Sequence, residues 1–115
     1  MELDIYEEKH PWGGFRQFTH NENTTVKILT VLKDEAFSLQ SHTKRSEFWK
    51  VIKGSGIIEI DGIKFVAREG DEFNIKIGEK HRIYGGNTGV SVLEISTGEF
   101  DEGDIVRYED KYGRV

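Results

Sequence analysis

The sequence predicts an all-β fold in a single domain, and three observations carry that expectation. Strand-sized segments rich in Val, Ile, Phe and Tyr recur roughly every eight to twelve residues across positions 24 to 97. No window sustains the apolar period of a helix. The chain holds thirteen glycines and a single proline, which supplies many tight turns. Its 115 residues fit one domain, large enough to bury a core but with little surplus stability.

The elements follow in order. Residues 1–23 form a polar arm with one anchor, HPWGGF. Pro11 and Gly13-Gly14 mark a turn there, and Trp12 and Phe15 are expected to pack against the body. TTVKILTVL, residues 24–32, is β-branched and reads as a strand. KDE is a turn. AFSLQSH then alternates, with Phe37 and Leu39 on one side and Ser38, Gln40 and His42 on the other. SEFWKVIKG is a further strand that sets Glu47, Trp49 and Val51 on one face. GIIEIDGIKFV is a hairpin around Asp61-Gly62. REGDEFNIKIGEKHRIYGG gives two short strands either side of Gly78, and GVSVLEIST, residues 89–97, gives another. Residues 24–97 thus make a barrel or sandwich. The tail, 98–115, is acidic yet carries Ile105, Val106, Tyr108 and Tyr112. A disordered tail has no use for those residues, so this one is expected to fold back as a helical turn or an edge strand.

Charge and composition exclude several functions. A formal net charge of -5 argues against nucleic acid, although one or two local cations suffice for a single phosphate. With no cysteine, disulfides, thiolate sites and cysteine nucleophiles are ruled out, and any metal must use nitrogen and oxygen ligands. No apolar run is long enough to span a membrane. MELDIYEEKHPW is acidic and lacks a signal-peptide core, so a cytoplasmic location is the expectation.

The stretch QSHTKRSEFW carries the chemistry. Gln40 and His42, two apart on a strand, project from one face. Glu47 follows a short turn, on what is expected to be the adjacent antiparallel strand. It shares a face with Trp49 and Val51, and a carboxylate on a buried face needs a cation or a metal. His81 begins a later strand. Two imidazoles, a carboxylate and an amide oxygen suit a divalent first-row metal. The plain alternative has His42 and His81 as exposed loop residues and Glu47 paired with Arg45 or Lys44.

These residues resemble the cupin superfamily, whose first motif is G(x)5HxH(x)3-4E(x)6G and whose second is G(x)5PxG(x)2H. His42, Glu47 and Gly54 match the first, with Gln40 in place of its first histidine; Gly70, Gly78 and His81 match the second, with Lys76 in place of proline. Within cupins, SLQSHTKRSEFWKVIKG is similar to the S-L-Q-x-H-x-x-R-x-E-x-W-x-V-x-x-G signature of type II mannose-6-phosphate isomerases. These occur as the C-terminal domain of bifunctional mannose-1-phosphate guanylyltransferases and sometimes alone. HPWGGF is similar to that family's R-P-W-G-x-Y, with His10 replacing arginine. GEFDEGDIVRYEDKYGR is similar to its ending, with Gly103 where an acid is common. The resemblance covers residues 10–114. No glycine-rich phosphate loop is present, so guanylyl transfer is not expected of this chain.

The resemblance implies a cupin jelly-roll barrel that interconverts mannose 6-phosphate and fructose 6-phosphate through a cis-enediol. It implies one divalent ion, zinc, iron, manganese, cobalt or nickel, on Gln40, His42, Glu47 and His81. The reaction needs an electrophile for the oxyanion, a base, and a handle on the phosphate. Glu47 and Glu94 are the two candidates for the base. Glu94 shares parity with Val92 and Ser96, which places it either on a polar inner face or in solvent. Arg114, Arg45 and Lys44 are candidates for the phosphate handle. Asp104 and Asp110 read as turn caps that hold the tail. Trp12 and Trp49 read as core or cavity wall, and Lys80 and Arg82 as solvated charge. Two alternatives stay open: a metal cupin that binds a small sugar without turnover, and a cupin isomerase or epimerase for another sugar. A homodimer is expected, because exposed edge strands in small barrels are commonly paired.

Overall fold

The computed structural model describes residues 3–115. Among them are nine strands and no helix. β1 (Tyr6–His10) and β2 (Gly13–Gln17) pair only with each other. The remaining strands form one antiparallel sheet: β3 (Thr24–Val31), β4 (Leu39–Ser41), β5 (Arg45–Ile60), β6 (Ile63–Arg68), β7 (Glu72–Ile75), β8 (His81–Gly98) and β9 (Val106–Glu109). The all-β class holds, but the segmentation is corrected. What reads as several short strands is two long ones, β5 and β8, paired from Arg45 opposite Gly98 to Ile60 opposite His81. The glycines between them bend the ladder rather than end it.

The bend is large. Ile60 lies thirteen residues beyond Glu47, about 43 Å on a straight strand. Yet His81, the register partner of Ile60, brings its Nε2 to 3.3 Å from Glu47 Oε1. The ladder therefore folds over on itself, with bulges at Val51/Lys53 and Gly54/Gly56. Gly54 sits there at φ +75°, and a Cβ on it would lie 2.2 Å from the Gly89 carbonyl oxygen, so the fold line requires glycine. The β5–β6 turn is the expected two-residue hairpin, with Asp61 and Gly62 both at positive φ.

Between the two halves lies the core: Val31, Trp49, Val51, Ile58, Ala67, Ile75, Ile83, Val90 and Val92. Each fully buried large side chain there is worth roughly 1.5–3 kcal/mol. β8 lies between β4 and β5, which corrects the expectation that Glu47 is on the strand beside Gln40 and His42. The tail does return as an edge strand, β9 on β4, held also by Ser41 Oγ and Tyr108 OH at 2.9 Å. The arm is a hairpin, anchored by Phe18 on Phe48 and by Arg16 on Glu72. Trp12 occupies its two-residue turn, 72% exposed and stacked on His10. It is neither core nor cavity wall, because the turn points it outward.

Candidate metal centre

His42 follows β4, and its Nδ1 lies 2.7 Å from the Asp104 carbonyl. His81 opens β8, and its Nδ1 lies 2.9 Å from the Glu79 carbonyl. A carbonyl can only accept, so each Nδ1 carries the proton and donates it. In the neutral ring this leaves the Nε2 lone pair free to ligate. Both Nε2 atoms face Glu47 Oε1, at 3.1 Å from His42 and 3.3 Å from His81.

The three side chains are at most 4% exposed, and their ligand atoms lie within 4.8 Å of one another. Glu47 Oε1 and His81 Nε2 are buried with no hydrogen-bond partner. Such groups cost about 1–3 kcal/mol each when left unsatisfied, and a divalent cation satisfies them together. The donor set, two imidazole nitrogens and a carboxylate oxygen, fits such an ion. It accepts zinc, iron, manganese, cobalt or nickel. Gln40 sits opposite His81 in register, with its amide oxygen 3.5 Å from Ser38 Oγ.

Glu94 lies on the inner face. It is buried with Val92 and Ser96, as its parity allowed. The Trp49 indole N–H is shared between Glu47 Oε2 and Glu94 Oε2, 3.0 Å from each. Ser96 Oγ adds a longer contact to Glu94 Oε1. Burial, reinforced by Glu47 beside it, pushes the Glu94 carboxyl up to about 8. Burial also opposes ionisation of Glu47. There, the neighbouring His42, His81 and Glu94 side chains outweigh it and hold the carboxyl below its ordinary range. The two carboxyls are thus pushed in opposite directions, Glu47 toward the ionised form and Glu94 toward the protonated one.

The candidate cations fall in three places. Arg45 is buried against the cluster, with Nη2 3.2 Å from His42 Nε2 and Nε 4.0 Å from Glu47 Oε1. Lys44 is half exposed, 3.8 Å from Glu99. Arg114 is exposed and held by Asp110 at 2.7 Å; it lines a surface pocket with Glu35, Phe37 and Tyr112. Phe37 in turn packs edge-on against Trp49, so two aromatic side chains, Phe37 and Trp49, stand between that pocket and the carboxylate pair. Asp104 caps the 43–44 turn through Thr43 N, Thr43 Oγ1 and Lys44 N. Desolvation is the largest single influence on Asp104 and pushes it up, but these three bonds together outweigh it and bring the carboxyl down to about 2. Asp110 likewise caps the chain end. Arg82 is not simply solvated, since it pairs with Glu59 and Glu109.

Sequence reasoning missed two contributors. Trp49 reads from the sequence as core or cavity wall, without its indole bridge, although its parity with Glu47 is visible there. The Asp104 carbonyl that orients His42 leaves no side-chain signal at all.

Residues 2–110 match the family model described as "Mannose-6-phosphate isomerase C-terminal". The chain is 32% identical over its full length to the mannose-1-phosphate guanylyltransferase ManC of Salmonella typhimurium, covering 24% of that protein. It is also 32% identical to the alginate biosynthesis protein AlgA of Pseudomonas putida, across 98% of this chain and 23% of that one. It thus spans about a quarter of the length of these relatives. Among solved structures, a cupin protein from Bacteroides fragilis superposes with a TM-score of 0.62 at 24% identity, over 75% of this chain and 72% of that one, which identifies the fold. With its all-β cupin fold and a match over nearly its whole length, this chain belongs to the mannose-6-phosphate isomerase C-terminal family.

Proposed function

We propose that this domain is a metal-dependent aldose–ketose isomerase that interconverts mannose 6-phosphate and fructose 6-phosphate. The observation that carries the reading is Glu94, a buried carboxyl that shares the Trp49 indole N–H with Glu47 and lies beside the His42–Glu47–His81 set. The reaction moves a proton between C1 and C2 through a cis-enediol. A group that takes and returns that proton works best with a pKa near the working pH. Glu94 meets that requirement, whereas Glu47 is committed as an anion to His42 and His81. Glu94 therefore serves as the base, and Trp49 Nε1 fixes its carboxyl against Glu47.

His42, Glu47, His81 and, as the fourth ligand, Gln40 would hold the divalent ion. When bound, the ion supplies Lewis-acid polarisation of the sugar oxygens. Arg114 is the phosphate handle by virtue of its fork of donors, with Lys44 and Arg45, which lie elsewhere around the centre, as the other candidates. The domain acts in the cytoplasm and takes a small sugar phosphate rather than nucleic acid. Among the described residues no helix is long and apolar enough to cross a membrane. For the assembly we propose a homodimer, covering the edge of β3 that is unpaired among the described residues, where Val26 and Ile28 are exposed and Leu32 follows the strand.

A second reading is a metal cupin that binds a sugar without turnover. The near-complete burial of the three ligands favours it. Proton NMR of mannose 6-phosphate with purified protein separates the two. Metal-dependent appearance of fructose 6-phosphate, abolished by His81→Ala and by Glu94→Gln, supports the isomerase. No turnover by a protein that binds metal through His81 leaves the binding reading.

A further inference from the structure

The segment that follows β8 crosses directly over the turn that carries His42. Phe100 stacks on the Arg45 guanidinium with its centroid 4.2 Å away. The Asp101 carbonyl accepts from Arg45 Nη1 at 3.2 Å. The Asp104 carbonyl accepts from His42 Nδ1. Residues 100–104 are therefore a strap that grips the metal centre at two points, one of them through Arg45.

Arg45 itself is 7% exposed. Its Nη2–H donates to His42 Nε2, the same lone pair that a ligating imidazole must offer. Its Nε is buried, has no hydrogen-bond partner and lies 4.0 Å from Glu47 Oε1. One lone pair cannot both accept a guanidinium N–H and bind a cation. Two cations drawn to the same carboxylate oxygen also repel each other at short range, strongly so where water is excluded.

We propose that Arg45 is a positioning residue that couples metal occupancy to the strap, because guanidinium and divalent ion compete for His42 Nε2 and Glu47 Oε1. The proposal rests on the metal-centre reading above. Metal binding moves Arg45 off His42, and with it the Phe100–Asp101 end of the strap. By reciprocity, whatever tightens the strap onto Arg45 weakens the metal. Phosphate handling by Arg45 then follows metal binding, since only the displaced guanidinium has a free face for an anion.

The test uses the whole chain and Co²⁺ alone, with affinity read by competition against a chromogenic chelator. Arg45→Met keeps most of the side-chain volume and removes the competing charge. It is expected to bind Co²⁺ about tenfold more tightly than the parent, a gain that structural damage does not produce. Phe100→Ala frees Arg45 from the strap and shifts affinity in the same direction. Amide exchange is the second readout: Co²⁺ lowers protection of residues 100–104 in the parent and leaves it unchanged in Arg45→Met. Equal or weaker Co²⁺ binding by a folded Arg45→Met overturns the proposal. If that variant does not fold, equal or weaker binding by Phe100→Ala overturns it instead. A parent chain that binds no Co²⁺ overturns the metal centre as well, whereas a binding parent with unshifted variants overturns the coupling alone.

Discussion

Glu94 is a carboxyl that its environment keeps from ionising. Its carboxyl is raised to about 8 from an ordinary 4.5, so in the folded, chelated protein it stays protonated where the unfolded chain has already ionised. The stability it contributes is full below pH 4.5 and is lost as pH rises toward 8. Glu94→Gln removes that titration. Urea denaturation in chelator should therefore show the variant gaining on the parent between pH 5 and 8 and converging with it below pH 4.5. The same variant should retain Co²⁺ binding, because Glu94 is outside the three-ligand set. The gathering of His42, Glu47 and His81 was legible in the sequence through motif spacing, and Gln40 lies opposite His81 in register. The partnership of Glu94 with Glu47 was legible only as parity. It arises from Trp49 Nε1 reaching both carboxylates, a geometry that no spacing rule contains.

At the scale of elements, the fold line and the strap are the parts that substitution should expose most sharply. Gly54→Ala places a methyl group against the Gly89 carbonyl at a positive φ. The expected loss is about 3 kcal/mol or more, read as a shift in the urea midpoint. Asp104→Ala removes the caps on Thr43 and Lys44 and loosens the strap whose carbonyl orients His42. The variant keeps the Phe100–Asp101 grip on Arg45 and disturbs only the His42 end of the strap, so metal affinity should fall, read by the same chelator competition. Asp104 is held down to about 2, so its anchoring is present above its ordinary value near 3.8 and is lost as pH falls through 2. The parent should therefore keep its strap protected from exchange at pH 4 and lose that protection near pH 2. Hairpin, barrel strands and returning tail were readable from alternation and turn residues. The continuity of β5 and β8 was not, because Gly54 and Gly56 signal a stop locally and only tertiary pairing turns them into a bend. The arm hairpin escaped for a similar reason: its few apolar residues form a ring cluster instead of a core-facing stripe.

For the molecule as a whole, the free edge of β3 and its outer Val26 and Ile28 set the expected assembly. Sedimentation velocity should give a dimer, and Ile28→Glu should give a monomer with its metal affinity intact. Unchanged sedimentation of that variant would move the interface elsewhere. The doubled-back ladder has a kinetic consequence. His81 joins His42 and Glu47 only when the β5–β8 ribbon closes at its glycine corner, after long loops have been shut. A metal ion has no assembled site to seize before that step. Adding Co²⁺ to a refolding reaction should therefore leave the folding limb of the chevron where it was and lower only the unfolding limb. The ion acts as a latch on a door that the backbone has already swung shut.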